Sequence, residues 1–115
     1  MTTNVAETVK TIFDHMPKTF VPEKAKGVKA KIQISLDGEG GGNWLLNIAD
    51  GRLNVEERKA DQPDLKLDMT ARDYVRLTLG QTNPMLLFMS GKVKMEGNML
   101  LAWKMQEMFD RKRVM

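Results

Sequence analysis

The run VKAKIQISL, residues 28–36, alternates strictly between apolar and polar side chains. Successive side chains of a β-strand point to opposite faces, so this pattern predicts a half-buried strand. The polar members, from Lys29 to Ser35, are expected to face solvent. A strand needs backbone partners and a cover for its apolar face. The rest of the chain therefore has to supply a sheet and a second layer.

Four later segments supply the partners for this strand. NWLLNIA, RLNVEE and LKLDM continue the alternation, and KVKMEG near residue 95 is predicted as a fifth strand. Asp50-Gly51 separates the first two segments and is the sequence of a two-residue hairpin turn. The inward residues of these three segments are Trp44, Leu46, Ile48, Leu53, Val55, Leu65, Leu67 and Met69.

An amphipathic helix precedes the strands. Its apolar residues recur every three or four positions, with Thr3 or Asn4 as the predicted N-cap and Pro17 as the predicted end. These apolar residues are Val5, Val9, Ile12, Phe13 and Met16.

Three more helices are predicted after the fourth strand. The first runs from Thr70 to Gly80, the second is opened by Pro84, and the last follows Asn98 as its cap. The order α, four β, two α, β, α predicts a two-layer α+β fold with a five-stranded, mostly antiparallel sheet and helices on one face. Residues 1–115 are expected to form one domain, since no repeat or linker divides them.

The segment from Asn83 to Met99 is dense in methionine and has more apolar residues than one sheet face requires. Residues 85–89, MLLFM, are all apolar, and a helix that is apolar all round is expected to be buried on more than one side. In the last helix, Met99 and Trp103 lie off the core stripe. That stripe consists of Leu101, Met105 and Met108. Either these side chains all belong to a large hydrophobic core, or some of them line a cavity for an apolar ligand.

Catalytic and metal-binding motifs are missing from the sequence. There is no cysteine, His15 is the only histidine, and no nucleophile, base and orienting group occur in a recognisable pattern. The glycine run at 38–42 lacks the lysine of a phosphate-binding loop and is predicted to be a loose hairpin turn. The acidic residues of the loops are predicted to be solvated, as is the basic run 111–113. We therefore expect neither enzyme activity nor a cofactor or metal.

Net charge and hydropathy restrict the classes of binding partner and the cellular compartment that the sequence favours. The net charge of +3 is compatible with weak contact with anionic membranes but not with a dense nucleic-acid-binding face. No apolar run reaches the roughly 18–20 residues of a membrane span. The first residues do not resemble a signal peptide, and DRKRVM is not the peroxisomal C-terminal signal. A cytoplasmic location is therefore expected.

Two stretches of the sequence resemble a known family. NWLLNIADGRLNV, and the segment that runs from DLKLDMTARDY through NPMLLFMSGKVKMEGN into the Met-rich last helix, are similar to the sterol carrier protein 2 lipid-binding domain. The resemblance spans about residues 28–109, with GKVKMEGN as its most specific part. Ser90 stands where animal members tend to carry glutamine, and Trp103 is bulky for its helix.

The resemblance implies an apolar tunnel between sheet and helices that binds and transfers fatty acids, fatty acyl-CoA, phospholipids or sterols. We expect its lining to include Ile34, Trp44, Leu46, Leu77, Met85, Phe88, Met89, Met99, Trp103 and Met105. An alternative with the same fold is an accessory protein that presents a quinone precursor or an acyl thioester to an enzyme partner. A nucleic-acid-binding module fits less well, because no aromatic residue stands among the lysines of the first strand to stack bases.

Overall fold

The computed structural model describes residues 5–108 of the chain. These residues form the predicted order of elements, with a short 3₁₀ turn at Pro22–Ala25 added. The strands are β1 (Ala30–Asp37), β2 (Gly42–Ala49), β3 (Arg52–Glu56), β4 (Leu65–Thr70) and β5 (Lys94–Gly97). The helices are α1 (Val5–Thr19), α2 (Ala71–Thr78), α3 (Pro84–Met89) and α4 (Met99–Met108). The predicted cap at Thr3 or Asn4 and the basic run 111–113 lie outside the described residues.

The five strands form one sheet in the order β3-β2-β1-β4-β5. Three neighbouring pairs are antiparallel, and β1 and β4 are parallel. Asp50 and Gly51 both have positive φ, 54° and 71°, and Ala49 pairs with Arg52, as a two-residue hairpin requires. The predicted hairpin and the mostly antiparallel α+β fold are confirmed.

The core lies between the helices and the inner face of the sheet. Inner residues of β1, β2 and β4 pack there with the buried faces of α1, α2 and α4. A row of stacked rings crosses this layer, because Phe13 of α1 lies 4.3 Å from Trp44 and 5.2 Å from Tyr74 between ring centroids. Burial raises the pKa of the Tyr74 phenol above its ordinary value.

Among the described residues, the predicted caps at Thr70 and Asn98 are confirmed, whereas the predicted end at Pro17 is not. Thr70 Oγ1 accepts a hydrogen bond from the Asp73 amide at 3.1 Å, and Asn98 Oδ1 accepts one from Leu100 at 3.0 Å. The prediction that Pro17 ends the first helix is wrong, since α1 continues to Thr19. Proline removes one amide donor from the last turn, but the Phe20 amide still donates to the Met16 carbonyl at 3.1 Å.

Candidate functional site

Five of the ten predicted lining residues lie together in the core. Ile34, Trp44 and Leu46 are buried on the inner face of the sheet. Leu77 of α2 and Met105 of α4 are half-buried against the same cluster. These five residues therefore share one apolar layer between sheet and helices.

The other five predicted residues are exposed. Together with Leu79, Leu86 and Leu100, which are not among the ten predicted lining residues, they make up all the exposed large apolar side chains of the described chain. We call these eight residues the α3–α4 surface: Leu79, Met85, Leu86, Phe88, Met89, Met99, Leu100 and Trp103. In the chain they all fall between the end of α2 and the middle of α4. A small domain rarely exposes so many large apolar groups in one region unless they contact something.

Helix α3 is held to the domain by a single buried side chain among those described. Leu87 is 3% exposed, whereas Met85, Leu86, Phe88 and Met89 are at least half exposed. The expectation that this apolar run is buried on more than one side is therefore wrong. The helix has only six residues, and Leu87 is the described side chain that it packs against the core.

Both ends of α3 are well defined in spite of this exposure. Asn83 Oδ1 accepts a hydrogen bond from the Leu86 amide at 2.9 Å, and Ser90 Oγ donates to the Leu86 carbonyl at 2.7 Å. The Leu87 carbonyl accepts hydrogen bonds from the amides of Lys92 and Val93 at 2.8 and 3.3 Å. The exposed apolar face therefore belongs to a regular helix.

Helix α4 divides its apolar residues as predicted. Leu101 and Met108 are buried and Met105 is partly buried, so the predicted core stripe is confirmed. Met99 and Trp103 lie off this stripe and are 43% and 56% exposed. The helix is thus apolar on its solvent side as well as on its core side.

The outer face of the sheet is less open than the alternation in β1 indicated. Gln33 was expected to be solvated but is only 2% exposed. Its Nε2 donates to the carbonyls of Trp44 and Arg58, both at 3.1 Å, and its Oε1 accepts from the Ala60 amide at 2.6 Å. These hydrogen bonds of Gln33 therefore anchor the loop between β3 and β4 to the outer face of the sheet. This role could not be predicted from local sequence, because the path of the loop depends on where β4 pairs.

A groove of about 590 Å³ lies beside this loop on the outer face. Its walls are mainly polar and carry charges of both signs, with Lys66 and Asp68 paired at 3.9 Å. At the start of the loop, the hydrogen bond from Arg58 holds the pKa of the Glu56 carboxyl below its usual range. These charged side chains do not suit an apolar ligand. The groove lies on the outer face of the sheet, whereas the core layer lies on the inner face.

Residues 5–108 contain neither a grouped metal-ligand set nor a helix able to span a membrane. In that part of the chain, no three His, Cys, Asp or Glu side chains are grouped as a metal site requires. None of its helices has both the length and the apolar composition to cross a bilayer.

Comparison with known proteins gives concordant matches. Residues 9–110 match the sequence model of the SCP-2 sterol transfer family. The chain is 34% identical over 108 residues to hydroxysteroid dehydrogenase-like protein 2 of Homo sapiens, a match that covers 93% of this chain and 25% of that protein. The chain thus spans about a quarter of the length of this relative.

Solved structures show the same fold. Sterol carrier protein 2 like 2 of Aedes aegypti superposes with a TM-score of 0.74 at 17% identity, covering 90% of this chain and 94% of that one. The structure titled UbiJ-SCP2 ubiquinone synthesis protein has a TM-score of 0.62 at 13% identity and 88% coverage of both chains. At these identities the likeness establishes the fold alone.

Proposed function

The chain belongs to the SCP-2 sterol transfer family, and from this premise we propose that it binds lipids non-catalytically and transfers them between membranes. The ligand classes are fatty acids, fatty acyl-CoA, phospholipids or sterols. The observation that carries the proposal is the α3–α4 surface, whose eight large apolar side chains are all exposed. Exposed apolar side chains add little to the stability of the domain. In this proposal they contact the apolar ligand as it enters and leaves.

Binding is proposed to occur in the apolar layer that holds Ile34, Trp44, Leu46, Leu77 and Met105. Each buried CH₂ of a guest contributes roughly 0.8 kcal/mol, so a chain of about sixteen carbons gains about 12 kcal/mol before ordering losses. Burial alone therefore gives useful affinity with little discrimination between chain lengths.

Entry of the guest is proposed to take place at α3. Leu87 is the only described side chain of this helix that is buried, so displacing α3 breaks few core contacts. Methionine, leucine and phenylalanine on its outer side can repack around an alkyl chain as it passes. In this proposal the exposed lining residues Met85, Phe88, Met89, Met99 and Trp103 form the mouth of the site.

Weak contact with an anionic membrane is the proposed setting for exchange. Trp103 is exposed on α4 beside the exposed Lys104, and a Trp next to a cation is a common arrangement at membrane interfaces. The methionine side chains are flexible and present no fixed shape. They can contact a fluid lipid surface, because such a surface does not require shape complementarity. Contact is weak because the net charge is only +3.

The test is direct observation of the guest. Native mass spectrometry of the purified protein, followed by solvent extraction, identifies any bound lipid. A fluorescent fatty acid is expected to bind and to be displaced by unlabelled long-chain lipids. If the folded protein binds no alkyl ligand at micromolar concentration, the proposal is wrong.

A second candidate function is the presentation of a lipophilic intermediate to an enzyme. Two observations favour it: the apolar α3–α4 surface, which a protein partner can cover, and the shared fold with a structure titled as a ubiquinone synthesis protein. The enzyme is then expected to co-purify and to lose turnover of its lipophilic substrate when Phe88 and Met89 are both replaced by serine. Transfer between protein-free vesicles is expected only for the first function.

A further inference from the structure

Strand β3 leaves one side of its backbone without a partner strand. It lies at the end of the sheet, and β2 pairs with it on the other side. Ala49 and Arg52 close the two-residue hairpin, so hydrogen-bonded positions alternate from there along β3. The peptide groups of Leu53 and Val55 therefore face away from the sheet, and in the part of the chain that the structure describes no turn, cap or loop hydrogen bond involves them. Such an edge can pair with a further strand.

The sequence of β3, RLNVE, is complementary to itself when it is reversed. In antiparallel register with a second copy, Arg52 lies opposite Glu56 at both ends of the strand. Asn54 then lies opposite its own counterpart, and Leu53 lies opposite Val55, so that their outward peptide groups exchange hydrogen bonds. The two neighbouring registers that keep such hydrogen bonds set either Arg52 or Glu56 opposite Asn54. The charges therefore favour one register.

The two charged side chains of β3 can take part in this pairing. Arg52 is exposed, and among the described residues no carboxylate lies within ion-pair distance of it. Glu56 accepts hydrogen bonds from Asn54 Nδ2 at 2.8 Å and from Arg58 Nε. A carboxylate has lone pairs for further donors, so Glu56 can also accept from Arg52 of a second copy. Charges on an edge strand commonly keep other strands away, but this pattern attracts its own copy.

The inner side of β3 also leaves apolar area for a second copy to cover. Leu53 and Val55 pack against the core cluster but are only partly buried. In the antiparallel pair each lies opposite the other, so pairing removes part of their remaining surface from water. The two-fold axis of such a pair is perpendicular to the sheet, so the helices of both copies lie on the same side of the joined sheet.

We propose that β3 is a self-association edge, through which two copies of this chain pair antiparallel along Arg52–Glu56 and form one continuous sheet. The partner is a second copy because the charge pattern of the strand is complementary to itself. The edge is only five residues long, whereas a stable interface buries more than about 1,000 Å², so the dimer is weak and reversible. No residue of β3 belongs to the α3–α4 surface, so this pairing leaves that surface available and does not depend on lipid binding.

The test is a charge exchange followed by sedimentation velocity. The whole chain is measured over a concentration series up to about 1 mM, at which a weak interface of this size is expected to be populated. Arg52→Glu places two acidic groups opposite each other at both ends of the paired strands, and Glu56→Arg places two basic groups there. Each variant alone is expected to weaken the dimer about ten- to thirtyfold. An equimolar mixture of the two variants is expected to associate again, because each chain supplies the charge that the other lacks.

The amide signals of a ¹⁵N-labelled sample locate the interface. Those of Leu53 and Val55 are expected to shift as the concentration rises, and the melting temperatures of the charge variants are expected to match that of the unmodified chain. A chain that stays monomeric over the whole series overturns the proposal. So does a dimer that Arg52→Glu leaves intact and that the double replacement Phe88→Ser and Met89→Ser abolishes, because the copies then associate through the α3–α4 surface. Failure of the mixed variants to associate also counts against the proposed register.

Discussion

The arrangement of helix α3 makes a sharp prediction, because two of its side chains only two positions apart have opposite environments. Leu87 is 3% exposed and Met89 is 76% exposed. Replacing Leu87 by alanine creates a cavity under the helix and is expected to destabilise the domain by about 2–5 kcal/mol. Met89 buries about a quarter of its surface, and a fully buried methionine contributes about 1.5–3 kcal/mol, so Met89→Ala is expected to cost about 0.4–0.8 kcal/mol.

The assay is urea unfolding of both variants, followed through the fluorescence of the buried Trp44. Fluorescent-lipid binding and vesicle-to-vesicle transfer are measured on the same samples. Met89→Ala is expected to change lipid transfer more than stability. Equal stability losses in the two variants, with unchanged lipid transfer by Met89→Ala, would refute both the exposed position of the α3 face and its proposed role at the mouth.

Three other predictions follow from the structure. Gln33→Ala is expected to cost about 1–3 kcal/mol, because it leaves the partly buried Ala60 amide without its acceptor, and faster hydrogen exchange at Ala60 would show the loop released; unchanged exchange would contradict the anchor. Trp103→Ala, and separately neutralisation of Arg111, Lys112 and Arg113, are expected to slow transfer to anionic vesicles while leaving the affinity for soluble ligand unchanged; unchanged transfer rates would place membrane contact elsewhere. Since burial raises the pKa of Tyr74, the folded state holds its proton more tightly, so stability is expected to fall as the pH rises above the ordinary tyrosine value of 10.0, and Tyr74→Phe is expected to lessen that fall.

Element order and type could be predicted from the sequence because their signals are local. The alternation in β1, the Asp50-Gly51 turn, and the caps at Thr70 and Asn98 each act within a few residues. The core stripe of α4 could be predicted for the same reason. The prediction that Pro17 ends α1 was wrong, because the packing of neighbouring residues in the last turn outweighs one missing amide donor.

The features that could not be predicted depend on how distant segments meet. A strand shows the same alternation of apolar and polar residues whether its partner is parallel or antiparallel. The path of the loop over Gln33 could therefore not be predicted from the sequence. The burial of α3 depends on its place at a sheet edge, which composition does not specify.

Lipid exchange requires a domain that keeps its fold while an apolar layer opens. In this chain the two demands fall on different segments. The sheet and α1 are joined by the stacked rings of Phe13, Trp44 and Tyr74 and by the buried inner residues of the central strands. Among the described side chains of α3, Leu87 joins that core, and Met85, Leu86, Phe88 and Met89 are exposed. If lipid enters at α3 as proposed, we therefore expect this helix to open at a small fraction of the global unfolding free energy, while the sheet and α1 stay packed.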